Sequence, residues 1–376
     1  MIDTDPPPTD RLRSIALSRQ RALFEGNFDA ASAVAPWITG SWQRCLARGL
    51  SPLDPVGFDV VSAQRMRRVR DASQPLLEAA KPAIDRLTQA IAGTNYFAIL
   101  TDAQGVVVDV QGPVDRSDRR ADIIARIGLD LSEAQVGTTA IGAALTELRS
   151  VWLHRGEHFF ADNSVYSCAG TPLFGPDGQC AGMLDLTGVE VVERPELKHL
   201  LRSSARLIEN SLLLSLQHRL LLRLTWPGSP MGGERDGLLT LDQDGFVVGS
   251  NPAARQMLAM PKHGHASTQR PHASELFATA FESLFDAARS AQSQPLETPL
   301  WSGLRVQLTS TLANAPQRAT QTRNVLGAAG MGSLKKIESA LIMDAVTSAQ
   351  GNVAKAARQL GISRATMYRR LANKNR

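Results

Sequence analysis

Three times along this chain a short apolar run meets a turn built on glycine and then resumes, and this pattern restricts the fold more than any other feature. Tyr96-Phe-Ala-Ile-Leu-Thr101 and Val106-Val-Val-Asp-Val110 flank Asp102-Ala-Gln-Gly105. Gly170-Thr-Pro-Leu-Phe174 and Ala181-Gly-Met-Leu-Asp-Leu186 flank a turn containing Pro176-Asp-Gly178, and Gly237-Leu-Leu-Thr-Leu-Asp242 and Phe246-Val-Val248 flank Gln243-Asp-Gly245. Glycine without a Cβ takes the positive φ that such turns need, so each unit reads as an antiparallel hairpin. Met66, Val69, Leu76, Leu77, Ile84 and Leu87 recur at helical spacing over 63–92, with Pro75 and Pro82 as expected breaks. Sheets made of hairpins with helices laid on them are α+β architecture.

At 376 residues the chain is too long for one ordinary core, and two or three units are expected. Leu200, Leu207, Leu214 and Leu221 fall seven apart on a segment that reads as one helix of about 40 Å. Such a helix is either a dimeric signalling helix or a terminal helix packed on its own core. Residues 313–332 have a linker's composition. The run Gly327-Ala-Ala-Gly-Met-Gly-Ser333 lacks the Gly-Lys-Ser/Thr ending of a phosphate loop, and no Gly-x-Ser-x-Gly elbow occurs, so no catalytic residues are expected.

Charge locates a second function. Nine basic residues from Lys335 to Arg376 face only Glu338 and Asp344, about +7 there against a net charge of +5 for the chain. Within that tail Val353, Ala356, Ala357 and Leu360 form one apolar stripe. Gly361 ends that helix, Ser363 N-caps a second, and Ile362, Met367 and Leu371 hold the two together. The free face then carries Arg364, Thr366, Tyr368, Arg369 and Arg370, with Lys355 and Arg358 on the first helix, which suits double-stranded DNA. Leu334, Ile337, Leu341, Ile342, Ala345 and Val346 make another apolar stripe, larger than so small a unit can bury, and a homodimer is expected to cover it.

Over Ser339–Leu371 the tail resembles the Fis family of DNA-binding domains, and the resemblance implies that Arg364 and Thr366 touch DNA. Ser41-Trp-Gln-Arg-Cys45, Gly137-Thr-Thr-Ala-Ile-Gly142, and His158-Phe-Phe160 leading to Cys168-Ala-Gly-Thr-Pro-Leu-Phe-Gly-Pro-Asp-Gly178 resemble the GAF sensor of acetoin-catabolism-type bacterial regulators. The third hairpin with Ser250-Asn-Pro-Ala-Ala254 resembles a PAS-like module. Relatives of that type carry a sigma-54 ATPase between sensor and tail, and here the 313–332 linker stands in its place. The expected order is a helical leader (1–61), a GAF-like sensor (62–195), a connecting helix (196–226), a PAS-like domain (233–312), the linker, and an all-α Fis-type helix-turn-helix (333–376).

Aromatic residues are only 5% of the chain yet concentrate around the GAF-like sheet. Tyr96, Phe97, Trp152, His158, Phe160, Tyr166 and Cys168 are therefore the expected lining of a pocket for a small-molecule effector; the alternative is ordinary core. The resemblance implies small alcohols, ketones or aromatic compounds. His154, His158, Cys168 and Cys180 invite a metal or redox reading, but histidines bonded within a sheet and cysteines acting as small hydrophobes need fewer assumptions, and no metal or cofactor is expected. Three cysteines without a close pair, no signal-peptide pattern and no membrane-length apolar run fit a cytoplasmic protein. RNA polymerase or a full-length sigma-54 activator relative is a further expected partner; a chain that heterodimerises with such a relative and modulates it is the rival to direct regulation.

Overall fold

A computed structural model describes residues 8–260, 270–290, 295–313, 345–346, 349 and 353–360. The first unit is built on a five-stranded antiparallel sheet of β1 (Tyr96–Asp102), β2 (Val107–Gln111), β3 (Val151–His154), β4 (Tyr166–Phe174) and β5 (Cys180–Val189), in the order β2-β1-β5-β4-β3. The first two expected hairpins are present, β1 pairing β2 and β4 pairing β5. Gly105 turns the first with φ +91°, and a Cβ there would stand 3.0 Å from the Ser132 nitrogen.

Strand alternation gives this sheet two different faces. Ala98, Leu100, Ala169, Leu184 and Leu186 project to one side and pack with α3 (Ala63–Ile91) and α7 (Leu197–Leu214) in a largely apolar core that also takes in Glu209, which accepts from the Phe174 amide. Phe97, Ile99, Tyr166, Cys168 and Met183 project to the other, beneath α4 (Arg119–Ile124), α5 (Glu133–Val136) and α6 (Ala140–Glu147). Two earlier helices, α1 (Pro8–Arg19) and α2 (Pro36–Ala47), are fastened to the same side. Ile15, Ile38, Trp42 and Cys45 share a core with Phe159 and Phe160. The leader is thus part of the first unit.

The two prolines do not break α3. Both Pro75 and Pro82 are exposed and lie two turns apart on the solvent face. The carbonyls they leave unpaired, four residues earlier at Asp71 and Glu78, belong to residues that are also exposed, where water can serve them.

The expected connecting helix over 196–226 is corrected. Helix α7 ends at Leu214, and Leu220–Thr225 is strand β6. Leu200, Leu201, Ala205, Ile208 and Leu212 bury α7 against its own sheet, while Leu221 of the seven-residue series lies on the strand. Strand β6 is central to a second five-stranded antiparallel sheet with β7 (Gly237–Leu241), β8 (Val247–Ser250), β9 (Leu296–Pro299) and β10 (Arg305–Leu312), ordered β8-β7-β6-β10-β9. The second unit therefore begins near 220, ahead of the expected boundary at 233. Helices α8 (Pro252–Met257), α9 (Ala273–Leu276) and α10 (Phe281–Arg289) cover one face, burying Ala254, Ala273, Phe277 and Leu284 against Leu222, Leu239 and Leu308.

Asn251 ties the units together. Its Oδ1 accepts from the Leu238 and Ala254 amides at 2.9 and 2.8 Å, which N-caps α8, and its Nδ2 donates to Asn210 Oδ1 on α7 at 2.8 Å and to the Asp236 carbonyl at 2.9 Å. Replacing it leaves several of these buried groups unpaired. Asn251→Ala is expected to lower unfolding stability by about 2–3 kcal/mol in urea titrations; a loss below about 0.5 kcal/mol would show that water replaces the side chain at no cost.

Candidate functional site

One buried carboxylate organises the polar side of the first sheet. Glu133, at the start of α5, accepts from Ser41 Oγ at 2.6 Å, from Arg44 Nε and Nη2 at 2.9 and 2.8 Å, and from Arg48 Nη1 at 3.2 Å. Burial acts to raise its pKa, but the hydrogen bonds from Arg44 and Ser41 and the charges of Arg44 and Arg48 outweigh it, and the carboxyl is held below its usual range. Ser41 also meets Thr138 Oγ1 at 2.7 Å, and Trp42 Nε1 donates to the Glu157 carbonyl at 3.0 Å. In the 137–142 motif, Gly137 has φ +65°, Thr139 N-caps α6, and a Cβ on Gly142 would come within 2.7 Å of the Glu133 nitrogen. The two sequence motifs at 41–45 and 137–142 thus form one clamp.

The clamp walls a small cavity of about 10 Å³, room for a single water molecule. Thr139, Ala140 and Ile141 of α6, Ile124 of α4, Leu131 and Phe58 form one side. His158, Asn163, Tyr166, Cys168, Asp185 and Thr187 form the other. Asp185 Oδ2 accepts from Thr187 Oγ1 at 2.5 Å, and Thr187 lies 3.3 Å from Cys168 Sγ. Asn163 Nδ2 donates to the Val136 carbonyl at 3.1 Å. Asp185 Oδ1 and Asn163 Oδ1 have no hydrogen-bond partner among the described residues, although both residues are almost wholly buried.

Burial dominates the ionisation here. It pushes the Asp185 carboxyl up to about 7, and both His154 and His158 down to about 4, so the imidazoles are neutral at neutral pH. His158 Nδ1 faces the Arg155 carbonyl at 2.9 Å, and His154 Nδ1 faces Ser167 Oγ at 2.8 Å. Burial also lifts the Cys168 thiol well above its usual value and raises that of Cys180. Among the described residues no group of three or more His, Cys, Asp or Glu is placed to hold a metal ion.

Of the seven expected lining residues, His158, Tyr166 and Cys168 reach the cavity. Tyr96 and Trp152 lie on the opposite face of the sheet with α3 and α7. Phe97 packs in the polar-side core away from the cavity lining, and Phe160 packs with Phe159 and α2. Sequence reading passed over Asp185, Thr187 and Asn163. The available signal was a carboxylate at the inward position of an apolar strand, two residues from both Met183 and Thr187.

At the other end of the chain, α11 (Val353–Leu360) buries Ala356, Ala357 and Leu360 with Ala345 and Ala349. Lys355 and Arg358 lie on this helix, but their side chains fall outside the described residues, as do Ser363, Arg364, Thr366, Tyr368, Arg369 and Arg370. The Leu360 carbonyl, at the end of α11, is 3.1 Å from His199 Nε2 on α7. Among the described residues no helix is long and apolar enough to cross a membrane.

Residues 333–373 match the model of the bacterial regulatory protein Fis family, a helix-turn-helix, and residues 8–210 match the model of the MimR N-terminal domain. This combination defines the class as that of bacterial transcriptional regulators with a Fis-family helix-turn-helix. By the longer match, which covers over half of its length, the chain belongs to the family of the MimR N-terminal domain. It is 31% identical over 290 residues to the acetoin catabolism regulatory protein of Cupriavidus necator, an alignment spanning 72% of this chain and 42% of that protein. It is 30% identical over 215 residues to MimR, the propane 2-monooxygenase operon transcriptional activator of Mycolicibacterium smegmatis, spanning 56% and 35%. The chain therefore spans less than half the length of these curated relatives. Among solved structures, the E. coli DhaR(N)–DhaL complex aligns with a TM-score of 0.44 at 16% identity, over 75% of this chain and 100% of that one.

Two outcomes test the electrostatics. Burial pushes Glu209 up to about 8 and Glu157 up to about 7, alongside Asp185. An acid whose folded pKa is raised stabilises fully below its unfolded pKa, about 4.3 for Glu, and that stability is lost as pH rises through the folded value. The melting temperature is expected to fall between pH 5 and 8, less steeply in Glu209→Gln; a profile that rises over this range in both proteins contradicts the assignment. Glu133→Ala leaves Ser41 with Thr138 and Arg44 with Glu147, and both guanidiniums reach solvent, so it is expected to cost about 1–2 kcal/mol in denaturant unfolding at neutral pH.

Proposed function

We propose that this chain is a signal-responsive, sequence-specific DNA-binding transcription regulator that acts in the cytoplasm as a homodimer, without ATPase activity. The observation that carries the reading is the presence, in one chain, of a Fis-family helix-turn-helix at 333–373 and a MimR-type N-terminal domain at 8–210. A GAF-like first unit with a small cavity beneath α6 and a PAS-like second unit bias the geometry of the dimer. Two recognition helices then present Arg364, Thr366, Arg369 and Arg370 to half-sites about 34 Å apart. A ligand acts only by binding one dimer arrangement better than the other. The names of the relatives point to small-molecule catabolism as the regulated process.

The test is binding of the purified chain to its own upstream DNA across a salt series, against Arg364→Ala plus Arg369→Ala. Saturable binding that weakens with salt is expected for the wild type, with affinity down about a hundredfold and the salt slope reduced by up to about 2 in the variant. Equal binding by the two proteins overturns direct reading of DNA through the tail. A chain that heterodimerises with a longer ATPase-bearing relative, and modulates it, then becomes the leading function, and that relative should co-purify.

A further inference from the structure

Helix α7 carries a row of like charge outside its buried stripe. Lys198, Arg202 and Arg206 stand four residues apart, in steps of about 6 Å along the axis. Arg149, on the turn after α6, adds a fourth positive charge: burial, and then the charges of Arg202 and Arg149, hold the Lys198 ammonium below its usual value. Among the described residues none of the three α7 cations forms an ion pair, and the carboxylates of Glu147, Glu193 and Glu196 are taken by Arg44, Arg11 and Arg194. Arg202 is exposed, and its Nε donates to Ser150 Oγ at 3.2 Å. Like charges four apart destabilise a helix that alternating signs would support. Something of opposite charge outside α7 is needed to offset them.

The row borders the tail. His199, next to Lys198, has its Nε2 3.1 Å from the Leu360 carbonyl at the end of α11. That negative helix end meets His199, but the charges run on for about 12 Å, further than one helix terminus occupies. Arg364 follows Leu360 by four residues, a reach of at most about 14 Å even for an extended chain. A recognition helix sits in a major groove about 12 Å wide with phosphates along both edges. We propose that Lys198, Arg202 and Arg206 form a second DNA-binding surface, on the first unit itself, that contacts the phosphate backbone beside the half-site read by the tail. This inference rests on reading the chain as a DNA-binding regulator. The surface supplies affinity and salt dependence but no sequence choice, because phosphates carry no sequence information. An acidic protein could also meet such a row, but only DNA is brought within reach of α7 by the tail. Through this surface a displacement of α7 alters DNA affinity directly.

The test is the affinity of the full-length protein for its own upstream DNA and for a scrambled duplex, across a salt series. Lys198→Gln plus Arg202→Gln plus Arg206→Gln is expected to bind both duplexes about tenfold or more weakly at low salt. Its salt slope should fall by about 2–3, with the ratio between the two duplexes unchanged. Its melting temperature should hold or rise, since repulsion along α7 is removed. The charge-keeping set Lys198→Arg plus Arg202→Lys plus Arg206→Lys should bind as the wild type does. If the triple glutamine variant does not fold, Arg202→Gln alone carries the test, with the slope down by about 1. Wild-type affinity and slope in the glutamine variants overturn the proposal. So does tighter binding, which would mean that the row holds the tail away from DNA. In both cases, loss of binding by Arg364→Ala plus Arg369→Ala leaves the regulator reading standing, whereas a wild type that binds neither duplex overturns both.

Discussion

A carboxylate taken out of water must be surrounded by donors or take up a proton, and Glu133 meets the first condition from a distance in sequence. Its partners Ser41, Arg44 and Arg48 come from α2 and its C-terminal end, some ninety residues earlier. Arg44 and Arg48 keep part of their guanidinium groups in solvent while Glu133 is buried, so the ion pair itself adds little net stability. The consequence is specificity of arrangement. Helix α2 is thereby set against α5 and α6 as well as against Glu157 and Phe159, Thr138 and Cys45 meet across the joint, and the N-terminal turn of α6 is fixed as the wall of the cavity.

From that clamp the rest of the molecule is reached through continuous packing. Strand β5 carries Asp185 and Thr187 at the cavity and begins at the β4–β5 turn, where the Pro176 carbonyl accepts from the Ser250 amide of the second unit. Helix α7 covers the apolar face of the same sheet, reaches Asn251 through Asn210, and touches the end of α11 through His199. First sheet, second sheet and Fis-family tail therefore all border one helix and one hairpin. Such adjacency is what a coupling between ligand and DNA sites requires, and a measured change in affinity is what demonstrates it.

The hairpins were legible because alternation and a glycine turn are local signals; all three occur as read. The clamp was legible only as motifs, since nothing in Ser41-Trp42 or Gly137–Gly142 announces that Glu133 lies between them. Strand β6 was misread because two periods overlap there. Leucines seven apart at 200, 207, 214 and 221 mimic a helical seam, while the two-residue alternation of Leu220, Leu222 and Leu224 is the one that is buried. The aromatic residues misled for a related reason. Tyr96 and Trp152 are near the cavity in sequence, but the alternation of a strand sends them to the opposite face, and Asp185 and Asn163 are among the residues that border the cavity instead.

The link between the clamp and the DNA-binding tail is tested most directly by the operator affinity of full-length Glu133→Ala, measured at matched salt and at a temperature where the variant is folded. Its substitution lies in the first unit, outside the residues assigned to DNA contact. If the sensor governs the reader, affinity should change by about fivefold or more, the lower range of ordinary allosteric coupling. Affinity identical to that of the wild type would contradict that coupling and make the tail an independent DNA-binding module.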